Sequence, residues 1–216
     1  MKRNYDAGLI TNGESEASAS SGGFVVDATV VSQTWPCKKD TPARRWADCI
    51  PPNCLFVPEA VLEVIDHGIA SEETLHPTHG RQLRAWKAAL FTYFAMRYVP
   101  ECQAVYETRR DLEQIRQLHW LSAPDPRETK QRLFQDIRVA STALVLAMPI
   151  ASTSPKKFVL INRYMRLPGL FNPAVSRWVI DRQEVALSHE PQEILIPPNA
   201  VHRGQVNPAE ASVDQL

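Results

Sequence analysis

Thr142-Ala-Leu-Val-Leu-Ala-Met-Pro-Ile150, then Ala151-Ser-Thr-Ser-Pro-Lys-Lys157, then Phe158-Val-Leu-Ile161 is the stretch whose reading decides the fold. Two apolar runs of strand length flank a tip rich in Ser, Pro and Lys. Taken as strands, they form a hairpin with a basic turn, and the chain acquires a buried sheet at this point. Pro149 has no N–H for a sheet ladder, so the first strand ends there or lies at an edge.

On the C-terminal side, Leu167-Pro168-Gly169 and Asn172-Pro173 mark a connection. Val175 to Leu187 holds two short apolar runs interrupted by Asp181-Arg182-Gln183, which predicts two more strands around a turn. Glu193 to Ile196 suggests a last strand before Pro197-Pro198.

The N-terminal side is helical. Leu83, Trp86, Leu90 and Phe91 recur at three- and four-residue steps and predict a helix over about 81–98, broken by Pro100. Cys102, Val105, Tyr106, Leu112, Ile115 and Leu118 form one face of a second helix. Asp125-Pro126-Arg127-Glu128 is a helix start, and a third helix then runs to about Ala140. Earlier still, Phe24 to Val31 predicts a strand. Trp35 to Cys54 is irregular and Pro-rich. Pro58 to His67 predicts a short helix stopped by Gly68.

The expected fold is therefore α+β: a three-helix middle layer on a small, mainly antiparallel sheet, behind a Pro-rich irregular front segment. Residues 1–23, rich in Ser, Ala, Gly and Glu, are expected to form a mobile tail. A single domain is expected over 24–198 and a loose tail over 199–216.

Composition bounds the setting. The chain has 216 residues, 44% hydrophobic and 22% charged, which suits one sizeable core. The longest apolar run falls well short of the ~20 residues a spanning helix needs. No apolar signal core follows Met1-Lys2-Arg3, and four Cys are too few for a disulfide scaffold. A cytoplasmic protein with reduced thiols and no membrane partner is expected.

The 24 basic and 24 acidic residues cancel overall, but they are segregated along the chain. Residues 1–80 hold 6 basic and 11 acidic side chains, residues 81–182 hold 17 and 8, and residues 183–216 hold 1 and 5. The middle thus carries a surplus of nine positive charges. Gathered on one surface, such charge holds nucleic-acid phosphates or an acidic protein face. The candidates are Arg109, Arg110, Lys130, Arg132, Lys156, Lys157 and Arg163. Trp120, Tyr164 and Trp178 are candidate stacking faces for unpaired bases. Taken singly, such Arg and Lys are usually a solvated helix face, and such Trp and Tyr are usually core or boundary residues.

The leading expectation is a non-catalytic binding subunit whose basic surface contacts nucleic acid or an acidic protein partner. A bacterial multi-subunit complex is one setting for it. An alternative is a structural or adaptor subunit held in a larger assembly by apolar helix faces carrying Trp86, Phe91, Tyr93, Phe94, Tyr98 and Tyr106. A further alternative is a zinc-stabilised module or zinc enzyme using Cys49, Cys54, His67 and His79, with Cys37 nearby. Their spacing lacks the tight Cys-x-x-Cys knuckle. Walker and Gly-x-Gly-x-x-Gly loops are missing from the sequence, as is a Gly-x-Ser-x-Gly elbow, and no catalytic residue is assigned.

Overall fold

The computed structural model describes residues 22–35, 40–51, 53–93, 96–121 and 135–183. The terminal tails (Gly22 and Gly23 apart), the strand expected at Glu193–Ile196, the start of the third helix, and Cys37, Lys130 and Arg132 lie outside these residues.

Helices and strands are combined as expected, but the sheet runs the other way. Its six strands are β1 (Phe24–Val26), β2 (Leu55–Pro58), β3 (Arg97–Val99), β4 (Ile150–Ala151), β5 (Leu170–Asn172) and β6 (Arg177–Ile180), in the order β3-β2-β1-β4-β5-β6. The pairs β1–β2, β2–β3, β1–β4 and β4–β5 are all parallel, and β5–β6 alone is antiparallel. The expected antiparallel sheet is thereby corrected. Parallel strands covered on both faces need no alternation, and Phe24-Val25-Val26 is buried at every position. β6 carries an irregularity opposite Leu170 and Phe171, next to the turn through Ser176.

The hairpin expected over 142–161 does not form. Thr142 to Val145 ends the helix α6 (Gln135–Val145), Ile150–Ala151 is a two-residue strand, and Phe158 to Ile161 lies in the helix α7 (Lys156–Asn162). An apolar run packed on several sides has the same appearance in a buried helix as in a buried strand. The stop signal of α6 is also concealed. Ala147, at φ +50°, takes the left-handed position a Gly usually fills, and Met148 N–H closes back on Ala143 C=O at 3.0 Å.

The expected middle layer is divided. After α1 (Ala28–Val31), the front segment expected to be irregular holds a helix, α2 (Pro42–Cys49), capped by Thr41 with Pro42 in its first turn. Next come α3 (Glu59–Leu75) and α4 (Pro77–Tyr93), which form a helical hairpin. α3 continues through Gly68, whose helical position is open to solvent, so the expected stop there is corrected. Gly80 lets the two helices approach: a Cβ there would meet Glu73 Cα at 2.6 Å. The pairs Lys87–Asp66, Arg84–Glu73 and His79–Glu72 link the hairpin along its exposed side. β3 then occupies residues assigned above to the helix over 81–98. α5 (Gln103–Gln114) packs on α6 instead of on α4. Among the described residues, no helix is long and apolar enough to cross a membrane.

One core joins sheet and helices. Val25, Val26, Leu90, Leu112, Ile137, Phe158, Ile161 and Leu170 are all effectively sealed from solvent. Full burial of such side chains contributes about 1.5–3 kcal/mol each, measured against exposure.

Candidate functional site: the carboxyl edge of the sheet

In a parallel sheet all strands finish on the same edge, and helix N-termini gather there. Ligand sites of open α/β sheets form on this edge, where the strand order reverses. In this chain the order reverses between β1 and β4, and each of the first four strands is followed closely by a polar residue. Asp27 follows β1, Glu59 follows β2, Glu101 comes two residues after β3, and Ser152 follows β4.

At the reversal, Asp27 is 2% exposed and Ser152 fully buried. Ser152 Oγ donates to Asp27 Oδ2 at 2.6 Å. Thr29 Oγ1 donates to Asp27 Oδ1 at 2.7 Å, and Val30 N–H to the same oxygen at 3.0 Å, which makes Asp27 the N-cap of α1. The β4–α7 turn is drawn in too. Thr153 N–H donates to Thr29 Oγ1, and Ser154 N–H to Ser152 Oγ, each at 3.0 Å. Burial pushes the Asp27 carboxyl up to about 6, against the opposing pull of these hydrogen bonds.

Beside it, at the ends of β2 and β3, lies an open cleft of about 490 Å³ lined by Glu59, Glu63, Glu101, Cys102, Tyr106, Arg109 and Arg138, among others. Arg138, the fourth residue of α6, bonds Glu101 Oε2 through Nε at 2.9 Å and Nη2 at 2.6 Å, and also grips both oxygens of Glu63. Arg109 Nη1 reaches Glu101 Oε1 at 2.5 Å, and its guanidinium lies over the Tyr106 ring at 4.9 Å. Glu59 accepts the backbone N–H of Glu101 at 2.8 Å. The hydrogen bonds from Arg138 hold the Glu63 carboxyl below its usual range, and those bonds together with the charges of Glu63 and Glu101 raise Arg138 further. Burial, and then Glu59, raise the Tyr98 hydroxyl. The cleft is therefore a set of three carboxylates partly neutralised from within by two guanidinium groups.

Among the described residues, the expected basic residues are put to different uses. Arg109 belongs to the cleft, and Lys157 pairs with Asp136 at 2.7 Å. Arg110 is exposed on α5. Lys156 and Arg163 are exposed at the two ends of α7, and Arg166 is exposed just beyond it; none of these makes an ion pair among the described residues. Of the expected stacking rings, Trp178 packs on Phe24 and Phe171, whereas Tyr164 is 44% exposed.

The thiols and imidazoles lie on separate elements. Cys49 is exposed at the end of α2, Cys54 precedes β2, His67 is exposed on α3, and His79 in α4 pairs with Glu72. Among the described residues, no three His, Cys, Asp or Glu side chains form a group able to hold a metal ion. As placed, these four do not make a zinc ligand set. The aromatic faces expected to serve an adaptor are also divided. Trp86 is core, with Nε1 donating to Thr34 Oγ1 at 3.3 Å, and Tyr98 is in β3.

The edge carboxylates were missed by sequence reasoning, although a signal for them exists. Val57-Pro58-Glu59 and Val99-Pro100-Glu101 repeat the same tripeptide at the ends of adjacent strands, and Val26-Asp27 is a shorter version.

No family model matches the sequence, and no curated protein matches it. Solved structures to which the chain is similar include FitAB bound to an IR36 DNA fragment, at TM-score 0.48 and 16% identity, covering 70% of this chain and 95% of that one. VapBC2 from Rickettsia felis bound to a DNA fragment from its promoter gives TM-score 0.49 at 12% identity, covering 69% and 97%. FitAcB from Neisseria gonorrhoeae gives 0.49 at 15%, also covering 69% and 97%. These likenesses assign no activity, ligand or partner to this chain.

Proposed function

We propose that this protein is a non-catalytic binding subunit that contacts a polyanion, in the first instance nucleic acid, through the outward face of α7. The observation that carries this reading is a contrast in how the cations are used. Arg84, Lys87, Arg109, Arg138 and Lys157 are each matched to a carboxylate. Lys156, Arg163 and Arg166 have no such match among the described residues; Arg81, Arg97, Arg110, Arg116 and Arg177 share that lack, but these three come together from one short helix and its following turn. Phe158 and Ile161 anchor α7 in the core, so these charges are displayed from a rigid element. Cations held apart from internal carboxylates are the ones available to phosphates.

The test is binding of the full chain to labelled duplex, to single strands and to heparin over a range of salt. Affinity should fall steeply with salt, and the triple variant K156E/R163E/R166E should lose at least tenfold. Binding that is absent, or unaffected by salt and by the triple variant, overturns the reading. An acidic protein face as the true partner would show as capture of polyglutamate in preference to nucleic acid.

A further inference from the structure

We infer that the ligand of the α7 face is a single-stranded nucleic acid, with Tyr164 as the platform for an unpaired base and the Lys156–Arg163 line beside it as the track for its phosphates. This rests on the polyanion reading above and narrows it.

The argument begins with the phase of the helix. At 3.6 residues per turn, the buried Phe158 and Ile161 fix the inward side of α7. Lys156 and Arg163, seven residues apart, then fall together on the opposite side. The helical path extends past Asn162: Tyr164 N–H and Met165 N–H both close on Ile161 C=O at 3.0 Å. Tyr164 therefore falls beside the Lys156–Arg163 line instead of turning inward, and Arg166 is exposed just past the helical turn. Asn162 Oδ1 accepts the N–H of Leu167 at 2.8 Å and fastens this turn to the core, where Leu167 is fully buried.

The ring itself is the second observation. Tyr164 is 44% exposed, and among the described residues its side chain takes part in no hydrogen bond or ring contact. Other exposed or stacking-capable aromatics differ. Tyr106 is covered by the Arg109 guanidinium, and Trp178 is packed against Phe24 and Phe171. A duplex or an acidic polypeptide needs only the cations. A free aromatic ring beside a line of cations matches a strand whose bases are unstacked and whose phosphates run alongside.

The test uses the full chain with short labelled oligo(dT) and oligo(U), a duplex of matched length, and polyglutamate. Tyr164→Ala should weaken single-strand binding about five- to a hundredfold, the range of one base–aromatic stack, while leaving duplex and polyglutamate binding unchanged. Tyr164→Trp should retain single-strand binding. The two oligonucleotides separate RNA from DNA. If the triple charge variant loses binding but Tyr164→Ala does not, the stacking inference fails and the polyanion reading survives. Stacking fails in the same way if duplex or polyglutamate binds as tightly as single strands. If no polyanion binds, both fail.

Discussion

Ser152 donates a 2.6 Å hydrogen bond to Asp27 across 125 residues of sequence, and so links the ends of the two strands between which the sheet reverses its order. Both partners are sealed from solvent, so the bond acts within the fold and is not offered to a ligand.

The first prediction concerns pH. Asp27 titrates at about 6 in the folded chain, against 3.8 ordinarily. Below about pH 4 both folded and unfolded chains hold this proton, and the group contributes nothing. Between about pH 4 and 6 the folded chain keeps a proton that the unfolded chain has lost, so stability falls as pH rises. Above about 6 the penalty levels off at roughly 3 kcal/mol. Asp27→Asn should remove this dependence. Urea unfolding of the two proteins from pH 4.5 to 7.5 should give stabilities that diverge with rising pH in favour of the variant; parallel curves refute the assignment.

Ser152→Ala leaves an oxygen of Asp27 and the N–H of Ser154 without their partner. The expected loss is about 1–3 kcal/mol, the usual cost of stranding a buried polar group. Because the Ser152 hydrogen bond favours the ionised carboxylate, its removal should also move the Asp27 transition to higher pH. Chemical denaturation at two pH values reads both effects.

At the cleft, Arg138→Met should destabilise by about 1–3 kcal/mol, since Glu101, only 16% exposed, would lose its main cation. Glu63→Gln should change stability by less than about 1 kcal/mol, because Glu63 is 45% exposed and water screens its pair. Equal effects from the two substitutions would show that the cleft is not organised around Arg138.

Two helical glycines should respond in opposite directions. Gly68→Ala has open space around it and should gain up to about 1 kcal/mol from helix propensity. Gly80→Ala places a methyl group against the Glu73 backbone and should lose about 1–3 kcal/mol as α3 and α4 are pushed apart. Thermal melts of the two variants should shift to opposite sides of wild type.

Ala147 ends α6 in the left-handed region, at φ +50°. Ala147→Gly relieves a conformation that costs an L-residue about 1–2 kcal/mol, partly offset by the added freedom of the unfolded chain. A net gain of about 0.5–1 kcal/mol in equilibrium unfolding is expected; a loss would show that Ala147 is unstrained there.

The elements that could be read from the residues are those with a local signal. Phe24-Val25-Val26 stands out as strand, though the strand expected through Val31 gives way to α1, Pro58 heralds α3, and the three- and four-residue steps around Trp86 mark α4. Elements defined by their neighbours were missed. Ile150–Ala151 is a strand only because β1 and β5 lie beside it, and Arg97–Val99 only because β2 does. The edge carboxylates share this difficulty. Asp27, Glu59, Glu101 and Ser152 become one edge only once the strands are known to run parallel, and hydrophobic period does not report direction. The surplus of positive charge was visible, but its internal use by Glu63, Glu101 and Asp136 was not.

The central position of β1 has a consequence for the order of synthesis. Its partner on one side, β2, leaves the ribosome soon after it, but its partner on the other side begins at Ile150. At about 5–20 residues per second, the first strand waits roughly 6–25 s with one edge unpaired. A nascent chain halted before Ile150 would present Val25 and Val26 as an open edge, and so be a target for chaperones and a seed for aggregation. Release of that hazard coincides with translation of the segment in which Ser152 comes within reach of Asp27.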